Sequence, residues 1–301
     1  MIADNTVKLL SPQHWQDYEL IDCGNFEKLE RFGDLVLIRP EPQAVWPKGL
    51  TDAEWQRRHD IRFKGRSATT GDWVKKRPSL PDRWYITYNN AGISIKFRLG
   101  LTAFKHVGIF PEQAVNWDYI SDTIQSFKST KPKVLNLFAY TGGASLAARA
   151  AGADITHVDS IKQVVTWANE NQELSGLSDI RWVVEDALKF VKRELKRGNK
   201  YHGIMLDPPA YGHGPKGEKW KLEDHIMEMM HEVVQLLDPT EHFLILNTYS
   251  LGFSSVIVDN LIRSALPAVT ELETGELYLQ ATAGSKLPLG VYGKFRKLLN
   301  A

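Results

Sequence analysis

The chain predicts an α/β fold: a mostly parallel sheet with helices on both faces, plus a small N-terminal β-rich domain. Three observations predict it. After residue 132 short apolar runs alternate with helical patterns, as in βαβ units. Four successive apolar runs there end in a glycine turn or an acid, the places where open α/β sheets hold ligands. Before residue 105 the runs are shorter, lie closer together and are broken by glycine, which is the pattern of a β domain.

In chain order, residues 18–22, 28–31 and 35–39 read as strands broken by Gly24 and Gly33. Residues 47–81 are rich in Gly, Pro and charge and read as a long functional loop. Residues 84–88 and 93–99 form a hairpin across Asn89-Asn90-Ala91-Gly92. Together they predict a small antiparallel domain over 1–104, followed by a second domain over 105–301. Residues 117–127 are helical and lead into the first buried strand, which begins at Lys133. The turn Phe138-Ala139-Tyr140-Thr141-Gly142-Gly143 follows, then a small-residue helix closed by Gly152. Strands at 155–159 and 180–186 end in Asp159 and Asp186, acids suited to ribose hydroxyls and an adenine amine. Helices at 222–237 and 254–266, a strand at 243–247 and a closing antiparallel pair at 271–281 and 291–297 complete the pattern.

The most informative segment is Leu206-Asp207-Pro208-Pro209-Ala210-Tyr211. Two prolines stop the strand from pairing further and hold Pro208 extended, so carbonyls project beside the carboxylate. Carboxylate, carbonyl and ring at one strand end suit a flat ligand. Tyr211 is either a stacking platform or a packing residue, and His213 either a proton shuttle or a surface histidine. The loop 212–221, with Lys216, Lys219 and Lys221, either closes on substrate or is a surface loop.

Composition bounds the class. With 301 residues, 43% hydrophobic and 24% charged, the chain is of soluble type and long enough for a genuine core. No apolar run approaches the roughly 20 residues a bilayer needs. Met1-Ile2-Ala3-Asp4-Asn5 has no signal-peptide pattern, so the cytoplasm is the expected setting and no membrane partner is expected. A lone cysteine, Cys23, excludes an intrachain disulfide and a Cys-based metal cluster. His225 and His231 are six residues apart, off one helical face, so no metal is expected there either. Net charge is only +1, yet residues 56–106 carry twelve Lys or Arg side chains against Asp60, Asp72 and Asp82. Arg57, Arg58, Lys75 and Lys76, with Lys216 and Lys219, are the candidate phosphate contacts. Trp55, Phe63, Trp73, Trp84 and Tyr85 are interleaved for base stacking or for a small core.

On these strand ends the chain resembles the class I S-adenosylmethionine-dependent methyltransferases over roughly residues 105–301. Gly108-Ile109-Phe110-Pro111-Glu112-Gln113, with the Leu-Asp-Pro-Pro-x-aromatic segment, is similar to the large-subunit ribosomal RNA methyltransferases, which include cytosine-C5 and guanine-N7 enzymes. The resemblance implies a Rossmann-like sheet and S-adenosyl-L-methionine as cofactor. It would be held by Phe110, Gln113, Phe138, Ala139, Tyr140, Thr141, Gly142, Asp159, Ser160, Asp186, Ala187, Asp207 and Pro209. Asp207, Pro208 and Tyr211 would face the target, with RNA as partner and ribosomal RNA favoured. Cytosine C5 needs a thiolate nucleophile, and Cys23 is remote in sequence, so guanine N7 or an exocyclic amine is favoured. Three alternatives stay open: a protein or small-molecule methyltransferase, a nicotinamide oxidoreductase, and a non-catalytic RNA-binding protein. The oxidoreductase lacks support because residues 139–145 do not have Gly-x-Gly-x-x-Gly spacing.

Overall fold

A computed structural model describes residues 7–13, 15–67, 70–90, 92–249 and 252–299; residues 1–5 and Ala91, which the leader and hairpin expectations used, lie outside these. After β1 (Lys8–Leu10), strands β2 (Tyr18–Gly24), β3 (Glu27–Phe32) and β4 (Leu35–Pro40) form an antiparallel meander. The helix α1 (Asp52–Arg58) then carries the chain across to β5 (Ile61–Gly65) and β6 (Gly71–Lys75), completing a five-stranded sheet. Two expectations are corrected here. The sheet is mixed, because β5 runs parallel to β4 with Leu37 opposite Ile61. Residues 47–81 are not one long loop but contain α1, β5 and β6. Thr51 and Glu54 form a capping box at the start of α1, and Trp55 anchors it against Ile21, Leu29 and Ile38.

The hairpin β7 (Arg83–Asn90) and β8 (Ile93–Gly100) follows as expected. A single 3-10 turn at Pro111–Gln113 opens into α2 (Ala114–Ser126). The alternating region then runs β9 (Lys133–Leu137), α3 (Gly143–Ala150), β10 (Asp154–Asp159), α4 (Lys162–Leu174), β11 (Arg181–Val184), α5 (Ala187–Lys196) and β12 (Gly203–Leu206). A short hairpin, β13 (Tyr211–His213) with β14 (Lys219–Lys221), precedes α6 (Leu222–Val234), β15 (His242–Thr248), α7 (Ser255–Ala265), β16 (Glu273–Gln280) and β17 (Lys286–Lys297).

The large sheet has the order β1-β16-β17-β15-β12-β9-β10-β11. It is parallel from β15 to β11, and β17 lies antiparallel to both β15 and β16. Its central strands β9, β12 and β15 are buried almost throughout because both faces are covered. Val134, Met205 and Ile245 face a core shared with α2, α3 and the β7–β8 hairpin, whereas their neighbours Leu135, Ile204, Leu206 and Leu244 face α5, α6 and α7. Strand pairing crosses residue 104, since Lys8 to Leu10 pair with Gly275 to Leu277. Among the described residues no helix is long and apolar enough to cross a membrane. The direction of strand succession reverses between β9 and β12, which places a crevice beyond their carboxyl ends.

Candidate active site

One side of this crevice is the turn after β9. Phe138, Tyr140 and Gly142 adopt positive φ values of 56°, 50° and 92°. A left-handed Phe or Tyr persists only when its surroundings hold it. Asp159, at the end of β10, supplies that hold: its carboxylate accepts the Tyr140 and Ile161 N–H groups, each at 2.9 Å. Burial raises the Asp159 carboxyl above the usual range, and those backbone donors oppose the rise. Thr141 donates its hydroxyl to the Gly108 carbonyl at 2.7 Å, and Asn171 donates to the Thr141 carbonyl at 3.0 Å. Asp186 caps α5 by accepting the Lys189 N–H at 2.9 Å.

The other side is the end of β12. Gln113 Nε2 donates to Asp207 Oδ2 at 3.3 Å and to the Tyr249 hydroxyl at 3.0 Å; Tyr249 in turn donates to Glu112 Oε1 at 2.9 Å. Asn116 and Asn247 both donate to Gln113 Oε1, fixing its amide. Two buried acceptors, Asp207 Oδ1 and Asn116 Oδ1, receive no hydrogen bond among the described residues. Such atoms are costly and call for a ligand that brings donors or positive charge. Burial, with a smaller push from Glu112, raises the Asp207 carboxyl to about 7.

The prolines set the course of the next segment. The Pro209 carbonyl accepts the Trp220 indole N–H at 2.7 Å and the Ala210 carbonyl accepts the Leu222 N–H, while no hydrogen bond to the Pro208 carbonyl is found among the described residues. Trp220 packs on Phe138 with ring centroids 4.9 Å apart, so the β13–β14 hairpin is tied to the glycine turn. Tyr211 stands out from it 69% exposed, which removes the packing alternative for this ring.

These groups line a cleft of about 600 Å³ and, next to it with shared lining residues, a cavity of about 60 Å³ at the glycine turn. Phe110, Phe138, Tyr140 and Asp207 line both. Gln113, Ala139, Thr141 and Gly142 line the small cavity; Asp159, Ser160, Asp186, Ala187, Pro208, Pro209 and Tyr211 line the cleft. The structure thus gathers every residue expected at the cofactor and the target. Arg57, Arg58, Lys75, Lys76, Lys216 and Lys219 line neither.

A family model for S-adenosylmethionine-dependent methyltransferases matches residues 48–274. The chain belongs to this family. The S-adenosylmethionine-dependent methyltransferase of Agrobacterium tumefaciens is 37% identical, superposes with a TM-score of 0.89, and is covered over 93% of its length by 96% of this chain. SMU.776, solved in complex with SAH, shares the fold at 17% identity and a TM-score of 0.73, over 94% of this chain and 76% of that one. Ribosomal RNA large subunit methyltransferase K/L of Shewanella frigidimarina is 33% identical over 249 residues, 79% of this chain but 32% of the relative. The chain therefore spans about a third of the length of the curated relatives it matches. The oxidoreductase and non-catalytic alternatives fall with the family assignment.

The structure of this methyltransferase decides one open alternative and corrects the charge balance of the basic block. Trp55, Phe63 and Trp84 are buried, and Trp73 donates its indole N–H to the Thr102 carbonyl, so these rings pack rather than stack on bases; Tyr85 is exposed. The basic block is less free than its composition suggests, because Glu27 and Glu170, from outside it, pair with Arg62 and Arg98, and Lys75 pairs with Asp82. Arg57, Arg58, Lys64 and Arg83 form no ion pair among the described residues. Glu112, Asn116, Asn247 and Tyr249 were missed. The rule that served the first four strands would have reached Asn247 and Tyr249 at the end of β15, the fifth.

Cys23 is fully buried in β2, lines neither cavity, and has its Sγ 3.2 Å from Ser285 Oγ. Burial raises its thiol. Cys23→Ala is therefore expected to keep turnover within about threefold of wild type, as for a small buried hydrophobe. A covalent adduct with 5-fluorocytidine RNA that disappears in this variant would bring back cytosine-C5 chemistry.

Proposed function

We propose that this methyltransferase modifies a base of RNA, with ribosomal RNA the favoured substrate and guanine N7 or an exocyclic amine the target. One observation carries the reading: the unpartnered Asp207 Oδ1, the open Pro208 carbonyl and the exposed Tyr211 ring share the cleft, and Asp207 lines the small cavity as well. The ring offers a face for stacking and the two oxygens accept hydrogens from a base edge. An exocyclic amine gives up a proton on methylation, and a carboxyl near 7 is placed to take it. The relatives named as ribosomal RNA methyltransferases support this choice of substrate. In this reading residues 1–104 supply a substrate wall and residues 105–301 the transfer machinery.

The lining fits the cofactor. S-adenosylmethionine, when bound, supplies an electrophilic methyl group on a sulfonium. The turn 138–142 with Phe110 and Gln113 would hold its amino-acid end, the orphaned Asn116 Oδ1 accepting from the ammonium; Asp159 and Ser160 would hold the ribose, with Asp186, Ala187 and Pro209 at the adenine. Asp159→Ala removes both the ribose acceptor and the clamp on Tyr140, so S-adenosylhomocysteine binding should weaken by about 1.5–3 kcal/mol. Calorimetry finding wild-type affinity in a folded Asp159→Ala protein would reject the ribose assignment.

The substrate is tested by offering ribosomal RNA from cells lacking this gene to the purified protein with methyl-labelled cofactor, then identifying the labelled nucleoside by mass spectrometry. Label in protein or in small molecules, with none in RNA, would turn the reading to the other methyl acceptors. Joint charge reversal of Arg57, Arg58, Lys75 and Lys76 is expected to weaken RNA binding across sequences and lower the salt slope by about 1 for each phosphate no longer neutralised. Because Lys75 is ion-paired and Lys76 donates to the Gln56 and Arg57 carbonyls, Arg57 and Arg58 should account for most of the change. An unaltered salt slope would remove this face from the RNA path.

A further inference from the structure

The cleft has a second polar wall that base recognition leaves unused. Lys28 on β3, Arg39 on β4, Glu41 just after it, and Lys105 with His106 all line it. Its ion pairs account for all but one of these cations. Arg39 grips Glu30 with two hydrogen bonds of 2.8 and 2.9 Å, and Tyr18 donates to the same carboxylate at 3.0 Å. Lys28 lies 3.2 Å from Glu41 and 3.7 Å from Glu30. These four charged side chains are buried, and two cations consume two acids. Lys105 is left over: its ammonium forms no ion pair among the described residues, while its backbone carbonyl accepts Arg39 Nη1 at 3.2 Å. Burial lowers its pKa, Glu41 and Glu30 oppose the fall, and Lys28 and Arg39 add to it. His106 adds no charge, since burial and the same cations push it down to about 3. A partly buried cation without an ion pair of its own, lining a cleft, gains a partner when an anion arrives.

We propose that Lys105, backed by Lys28 and Arg39, forms an anion subsite of this cleft that takes a phosphate group of the methyl acceptor. The proposal rests on the reading of the cleft as the methyl-transfer site. The cofactor's carboxylate is the other possible source of an anion. The small cavity at the glycine turn, however, contains none of Lys28, Arg39 and Lys105, which favours the acceptor. A phosphate held here positions the nucleotide, leaving Asp207 and Pro208 to read the base edge.

The test uses the full chain and two probes: inorganic phosphate followed by ³¹P NMR, and S-adenosylhomocysteine followed by calorimetry. Lys105→Gln should weaken phosphate binding about tenfold or more, as expected when one charge-assisted hydrogen bond is removed, and leave S-adenosylhomocysteine affinity within about twofold. Lys105→Arg should keep both. Equal phosphate affinity in Lys105→Gln and wild type, or no phosphate binding to wild type, overturns the subsite. Parallel loss of both ligands in Lys105→Gln assigns the cation to the cofactor and overturns the acceptor proposal. Failure of the wild-type protein to bind S-adenosylhomocysteine would instead strike the methyl-transfer reading, with the phosphate titration still judging the subsite.

Discussion

Asp207→Ala is expected to reduce methyl transfer by at least about a hundredfold, the usual scale for removal of an acid–base group, while Asp207→Asn should make the fold more stable above neutral pH. Both follow from one feature, a buried carboxyl with an unpartnered oxygen, raised to about 7. The fold favours its protonated form, so its contribution to stability is intact below the ordinary value of 3.8 and is lost as pH rises to about 7. That interval corresponds to about 4 kcal/mol before any relaxation. Asparagine does not titrate. Its advantage should thus be absent near pH 4, grow up to pH 7 and stay level above it. Urea titrations of both proteins at pH 4.5 and pH 8 measure the difference. A stability gap that does not change with pH would mean that Asp207 is not the strained group described here.

How much of the fold and site was legible depended on whether a signal was local. The strand ends were local: apolar runs stop at Asp159, Asp186 and Asp207-Pro208, and the sheet places all of them around one cleft. The second task of Asp159, clamping Tyr140 in a left-handed turn, was not, because it needs the spacing of two adjacent strands. Residues 47–81 were misread since their Gly, Pro and charge mask the inward pair Ile61 and Phe63. The parallel pairing of β4 and β5 likewise depends on the crossover through α1, which has only seven residues. The charge on the basic block was misjudged for a related reason: Glu27 and Glu170 reach Arg62 and Arg98 from other elements. Lys28 and Arg39 sit in runs that read as ordinary strands, and only the folded chain shows that they line the cleft.

Gly108→Ala is expected to cost about 3 kcal/mol in stability, combining steric overlap with a forced positive φ, and to weaken S-adenosylhomocysteine binding as well. A Cβ at Gly108 would lie 2.2 Å from the Trp167 ring, and its φ is +104°. Trp167 has little room to retreat, for its indole N–H donates to the Arg98 carbonyl at 2.8 Å and the Arg98 guanidinium lies 4.1 Å from the ring. The binding effect arises because the Gly108 carbonyl accepts the Thr141 hydroxyl, so moving it disturbs the glycine turn. Gly152→Ala separates the two contributions: φ is +98° there, but nothing lies within 4 Å of the new Cβ. That variant should lose only about 1 kcal/mol, the cost of the backbone conformation alone, and should bind S-adenosylhomocysteine as wild type does. Thermal unfolding gives the stability difference and calorimetry the affinity. Equal losses in the two variants would mean that the Trp167 packing does not fix the segment carrying Phe110 and Gln113 into the site.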